Sequence, residues 1–236
     1  MLRIARPYLL RALAPSVPIL GRKVTLPLFH AANYVGMSGI RSKVYTRTGD
    51  KGSSSLYSGE RRRKDDPVFE ALGDLDELNA AIGQAREYCR ISNHTKLERQ
   101  LEIVQSRLFD VSGHIATPRQ QDVAEAKIKR TEIEAHWIST LEHWIDEIDQ
   151  QIPPLVKFIL PSGGVSATTL HLCRTICRRS ERRVVSLVLD GSADELAVKY
   201  VNRLSDFLFT AARWCAMKEG RQEALYLKES EIEEIK

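Results

Sequence analysis

No aspartate or glutamate precedes Asp50, yet that stretch carries eight basic residues: Arg3, Arg6, Arg11, Arg22, Lys23, Arg41, Lys43 and Arg47. Setting those eight against the net charge of +4 leaves a remainder of about −4, so the basic character belongs to the N-terminus and does not mark a nucleic-acid surface. No run approaches the roughly 20 apolar residues of a spanning helix, which argues against a membrane anchor. The four cysteines, Cys89, Cys173, Cys177 and Cys215, lack paired metal-site spacing and read as reduced, buried thiols. The six histidines form no Glu-x-x-His pair, which argues against a ferritin-like di-iron bundle. His-Glu-x-x-His and Gly-x-Ser-x-Gly are missing too, and with them the common zinc proteases and the α/β-hydrolase nucleophile. Neither a Walker A string nor Gly-x-Gly-x-x-Gly occurs, so a nucleotide site would need another construction.

What is present begins with residues 1–40, arginine-rich, acid-free and broken by Pro7, Pro15, Pro18 and Pro27, as an organellar transit peptide would be. A disordered basic tail is the alternative. A secretory signal would need one unbroken apolar region and a small-residue cleavage site, whereas the arginines here are dispersed through the apolar residues.

Beyond residue 60 the apolar residues recur at helical intervals, and the alternation of a surface strand is hard to find. Asp66-Pro67 starts a helix bearing Val68, Leu72, Leu75 and Ile82 as far as about Cys89. A second carries Leu97, Leu101, Val104, Leu108, Val111 and Ile115 and stops at Pro118. After a polar connection, a Thr131/Glu134 capping box opens a third, with Ile133, Trp137, Leu141, Trp144 and Ile148. The fourth spans Ser166 to Leu189, and the fifth runs from a Ser192/Glu195 capping box to Gly220. The pattern predicts an all-α, up-and-down bundle of five helices over residues 41–220, with a loose charged tail over 221–236.

Two loops stand outside the periodicity. Residues 44–66 combine glycines, the hydroxyls of Thr46, Thr48, Ser53, Ser54 and Ser55, and cationic Arg47, Lys51 and Lys64, the chemistry of a phosphate cradle or equally of a polar surface loop. The other is Phe158-Ile159-Leu160-Pro161-Ser162-Gly163-Gly164. On the fourth helix Arg174, Arg178, Arg179, Arg182 and Arg183 fall within ten residues, relieved locally only by Glu181. A solvated basic face is one reading. Magnitudes favour an anion: a contact pair at an effective dielectric near 20 gains about 4 kcal/mol, against under about 1 for a surface ion pair. Glu181 either holds a Mg²⁺ ion bridging phosphates or pairs with the arginines. Asn202, Asp206 and Arg213 share a face of the fifth helix, lining a cleft or forming a network at the bundle edge.

Taken together, Tyr45 to Gly52, Gly73 to Asn79, Phe158 to Gly164, Arg174 to Arg183 and Asn202 to Asp206 resemble the PduO-type cobalamin adenosyltransferases, in that family's order and spacing over about residues 43–219. Leu75 departs from the pattern, standing before Asp76 where the family often has threonine or another small residue. The resemblance implies a homotrimer with interfacial active sites, ATP and cobalamin as substrates, and a mitochondrial matrix enzyme. It implies nucleotide contacts at Thr46, Arg47, Thr48, Gly49, Ser54, Ser55, Lys64, Arg178, Arg179, Ser180, Glu181, Arg182 and Asn202, with Mg²⁺ at Glu181. It further implies an Asp76–Arg174 pair across subunits, Phe158 beneath the corrin, and Asp206 at the cobalamin end, with Arg178, Arg182, Asp206 and Phe158 as the catalytic set.

The reaction so implied moves the adenosyl group of ATP to cob(I)alamin and releases triphosphate. Its partners would be a cob(II)alamin reductase and an adenosylcobalamin-dependent mutase, with neither nucleic acid nor membrane engaged. Two competing readings remain: a non-catalytic carrier that delivers adenosylcobalamin to a mutase, and a basic helical RNA-binding module, against which the acidic body counts.

Overall fold

The computed structural model describes Tyr45, residues 47–119 and residues 123–233. The transit-peptide expectation for residues 1–40 and the expected nucleotide contact at Thr46 lie outside the described residues.

In chain order the elements are a hairpin of β1 (Ser53–Ser55) and β2 (Arg61–Arg63), then α1 (Pro67–Ile91), α2 (Thr95–Ile115), α3 (Glu125–Arg130), α4 (His136–Asp149), α5 (Val165–Leu189), α6 (Glu195–Lys218) and α7 (Glu229–Glu233). The fold is mostly helical, as the periodicity predicts. Helix α5 packs against α1 and α6, α1 also against α2, and α6 also against α4. The apolar stripes meet in one core: all six α2 residues named above are buried, with Leu75, Ile82, Leu141, Leu170, Val184, Leu204 and Phe207. Leu75 is fully buried, so it serves the core. All four cysteines are buried and free; burial pushes the Cys173 thiol up to about 12 and keeps it protonated.

Asp66 caps α1, accepting the Val68 N–H at 2.9 Å. The other two caps differ from expectation. Thr131 closes α3, donating its hydroxyl to Lys127 O and Ile128 O at 3.1 Å, and α4 begins after Ala135 without a side-chain cap. Asp194, not Ser192, caps α6 through the Leu196 N–H at 2.9 Å, because its carboxylate stands next to the first turn and is the stronger acceptor. Gly220 ends the helix at φ +64, as expected.

Residues 223–226 of the tail are tied to the rest of the chain. Leu160 N–H donates to Ala224 O and Tyr226 N–H to Phe158 O, both at 2.8 Å, while the Ser162 hydroxyl accepts Ala224 N–H at 2.7 Å. Buried Arg213 anchors both ends of this pairing, donating to Pro153 O at 2.8 Å and meeting Glu223 at 3.3 Å. A long-range pairing of this kind has no local sequence period.

Candidate functional site

Helix α5 sorts its arginines by where their partners lie. On the side facing α1, Arg179 pairs with Asp74 at 3.2 Å and with Glu77, and Arg183 pairs with Glu70 at 3.4 Å and Asp74 at 3.8 Å. Ser180 is fully buried there, its hydroxyl donating to Asp74 O at 3.0 Å and Ile176 O at 3.1 Å. Arg174, Arg178 and Arg182 form the other row, and among the described residues none of them has a carboxylate partner. Arg178 and Arg182 are exposed. Arg182 donates to Arg178 O at 2.9 Å, which holds its guanidinium along the helix surface.

Arg174 is half-buried beside Phe209, 5.9 Å from the ring centroid, and its Nε has no hydrogen-bond partner. Burial, and then the charge of Arg178, pull its pKa below the ordinary arginine value. A cation so placed favours an anion, and the described residues of its own chain supply none. Asp76 is exposed on α1 and likewise unpaired among the described residues. The two therefore do not meet within one chain.

The α6 residues separate into three places. Asn202 donates to Glu181 Oε1 at 2.8 Å, and among the described residues no arginine pairs with this carboxylate. Asp206 is exposed and pairs with Arg203 at 2.7 Å, which also holds Glu142 at 3.0 Å. Arg213 belongs to the tail network, so the three do not line one cleft. Among the described residues no group of three or more metal-binding side chains occurs. Glu181 keeps one oxygen for a cation, which suits Mg²⁺ only if a bound phosphate supplies further ligands.

In the hairpin loop, Gly49 lies against Lys64: a Cβ built there would sit 3.2 Å from Lys64 Nζ. Arg47 takes φ +58, unusual for a residue with a side chain, and Thr48 is exposed. Ser54 and Ser55 are neighbours in a strand, so their side chains point to opposite faces. Arg61, which the sequence reading passed over, donates to Thr48 O, Ser53 Oγ and Ser55 Oγ. Lys127 of α3 donates to Tyr57 O at 3.2 Å and Ser58 O at 3.0 Å, fixing the turn of the hairpin. No hydrogen bond or ion pair among the described residues joins this loop to the Arg174–Arg178–Arg182 row. Phe158 is 82% exposed, on a loop whose Gly163 and Gly164 take φ +97 and +96.

Residues 44–215 match the family model for cobalamin adenosyltransferase. Corrinoid adenosyltransferase MMAB of Bos taurus is 54% identical over 186 residues, 79% of this chain and 76% of that protein. The human protein of the same name is 53% identical, over 79% of this chain and 74% of its own length. Two solved structures of variant PduO-type ATP:corrinoid adenosyltransferases from Lactobacillus reuteri also match. One, complexed with ATP, has TM-score 0.70 at 34% identity, covering 78% of this chain and 100% of that one. The other, complexed with cobalamin and ATP, has TM-score 0.70 at 33% identity, covering 79% and 100%. This chain belongs to the PduO-type cobalamin adenosyltransferase family.

Proposed function

We propose that the protein transfers the 5′-deoxyadenosyl group of ATP to the cobalt of cob(I)alamin. The cobalt electron pair forms the bond to C5′, the C5′–O bond breaks, and its electron pair leaves with triphosphate. Cob(I)alamin is already a strong nucleophile, so no general base is required. What the protein supplies is alignment of the two substrates, worth up to about 7–11 kcal/mol in well-oriented systems, and stabilisation of the leaving charge.

The observation that carries this reading is the Arg174–Arg178–Arg182 row, none of which has an ion-pair partner among the described residues. Arg178 and Arg182 receive the triphosphate, and Asn202 orients Glu181 toward the same place. Mg²⁺ held by Glu181 and the phosphates would add further charge neutralisation when bound. Gly49 and Lys64, with Thr46, Arg47, Thr48, Ser54 and Ser55 around them, form the second nucleotide-binding segment. Arg179 and Ser180 contribute by holding α5 on α1.

Among the described residues neither Asp76 nor Arg174 has an ion-pair partner, which supports a site completed by a second copy, as in a homotrimer with Asp76 and Arg174 paired between subunits. Phe158, exposed on a braced loop, would occupy the lower face of the corrin, with Asp206 at the cobalamin end of the cleft. A cob(II)alamin reductase would supply the electron, and an adenosylcobalamin-dependent mutase in the mitochondrial matrix would receive the product.

The test mixes the protein with ATP, Mg²⁺ and chemically reduced cob(I)alamin, and follows adenosylcobalamin in the visible spectrum while assaying triphosphate. Equal amounts of both establish the reaction. Binding of both substrates without either product would make the chain a carrier.

A further inference from the structure

We propose that Arg61 is a positioning residue for ATP, holding the Thr48–Ser55 segment in the shape that receives phosphate; the inference rests on the nucleotide-binding role proposed above. Antiparallel pairing sets Ser55 opposite Arg61 and Ser53 opposite Arg63, so Ser53, Ser55 and Arg61 share one face of the hairpin. Across that face the Arg61 guanidinium reaches four acceptors. Its Nη2 donates to Thr48 O at 2.8 Å, Ser53 Oγ at 2.8 Å and Ser53 O at 3.3 Å, and its Nη1 donates to Ser55 Oγ at 3.2 Å.

The neighbouring arginines behave differently. Arg62 pairs with Glu60 and Asp66, and Arg63 with Asp65. Among the described residues no carboxylate reaches Arg61, so its donors are spent on neutral oxygens of the loop. A planar fork presents donors on two separate nitrogens to acceptors spread from residue 48 to residue 55, whereas an ammonium concentrates its three donors at one point.

The brace bears on the turn through peptide geometry. A trans peptide points its C=O and N–H to opposite sides, so drawing Thr48 O onto Arg61 leaves the Gly49 N–H facing away from it. Gly49 is also where an added Cβ would come 3.2 Å from Lys64 Nζ and 3.3 Å from Cε. A turned backbone amide beside an ammonium is a cradle for a phosphate oxygen. Arg47 at φ +58 and Gly52 at φ +77 flank this turn, and a residue with a side chain keeps a left-handed conformation only where its surroundings impose it.

The experiment compares the full chain with Arg61→Met, Arg61→Lys and the control Arg63→Met. ATP affinity is measured by calorimetry, and kcat and KM with chemically reduced cob(I)alamin. Arg61→Met should raise both Kd and KM for ATP about tenfold or more, the weight of one or two charge-assisted hydrogen bonds. Its kcat should stay within about twofold, because loop order is lost equally from ground and transition states. Arg61→Lys should recover only part of the loss, and Arg63→Met should change little. Arg61 is exposed, so thermal melts should coincide and exclude unfolding as the cause.

Unchanged ATP affinity in Arg61→Met, with the parent protein binding ATP normally, would reject the role of Arg61 and leave the proposed activity standing. A collapse of kcat at saturating ATP would overturn it as well, by making Arg61 a contact to the leaving group. Failure of the parent protein to bind ATP would remove the nucleotide reading and this inference together.

Discussion

Arg179 Nε donates to Asp74 Oδ1 at 3.2 Å, and such contacts divide five clustered arginines into two paired with carboxylates of α1 and three with no carboxylate partner among the described residues. The row that lacks carboxylate partners should therefore dominate turnover. Arg178→Ala and Arg182→Ala are each expected to lower kcat by about 100-fold or more, with little change in melting temperature. Arg179→Ala loses a partly exposed pair and should cost no more than about 1 kcal/mol of stability, with a much smaller loss of rate. Steady-state kinetics and thermal melts on the three variants check this; a rate collapse confined to Arg179→Ala would reverse the assignment.

Acid should destabilise the protein through two buried histidines. His114 Nδ1 lies 2.9 Å from Thr131 O, to which it donates, and its Nε2 accepts the Asp194 N–H at 2.9 Å, so the ring is neutral and a second proton would displace the α6 cap residue. Burial lowers its pKa foremost, with nearby Arg119 acting the same way, while the Thr131 carbonyl and Asp194 oppose. His171 is lowered to about 4 by burial and by Arg174. Both folded values lie below the unfolded one near 6.5, so below that pH the unfolded chain binds more protons. Stability is then fully present above about pH 6.5 and falls toward pH 5, by up to about 1.4 kcal/mol per pH unit for each histidine. Melting temperatures between pH 5 and 8 should show this slope, and His114→Gln should reduce it. A protein more stable at pH 5.5 than at 7.5 would contradict the account.

The sequence was most readable where one residue type repeats at the period of its element. The α2 stripe from Leu97 to Ile115 is buried at every position, and the 174–178–182 spacing does form a row. It was least readable where structure depends on distant backbone. Three serines facing three arginines carry no apolar alternation, so the hairpin at 53–63 left no signal. The Thr131/Glu134 motif had the right spacing, but α3 captured Thr131 first. Arg179 and Arg178 are adjacent in sequence, and only the position of Asp74 tells them apart.

Gly163→Ala tests the joint that carries the Phe158 loop into α5. Gly163 has φ +97, and an added Cβ would lie 2.5 Å from the Ala216 Cβ, a clash between packed elements that cannot rotate away. Backbone strain and overpacking together should cost about 2–4 kcal/mol. Chemical denaturation would measure it, with Gly52→Ala as the comparison: that site also has positive φ, at +77, but open space around it. Equal losses at both sites would mean that the close approach to Ala216 contributes nothing.

Tyr226→Pro isolates the backbone pairing that holds Phe158. Proline removes the N–H that bonds Phe158 O at 2.8 Å, yet it keeps the chain extended at the preceding residue, so the tail can still follow its path. Losing one such bond is worth about 1 kcal/mol, or roughly a fivefold change in how often the loop is in place. If Phe158 acts under the corrin, formation of adenosylcobalamin from cob(II)alamin with a reductant should slow by that factor, while ATP affinity stays unchanged. Tyr226→Ala keeps the N–H and serves as the control for the exposed ring. Equal slowing by both substitutions would assign the effect to the tyrosine side chain, whereas slowing by proline alone would show that the tail sets the position of Phe158 through its backbone.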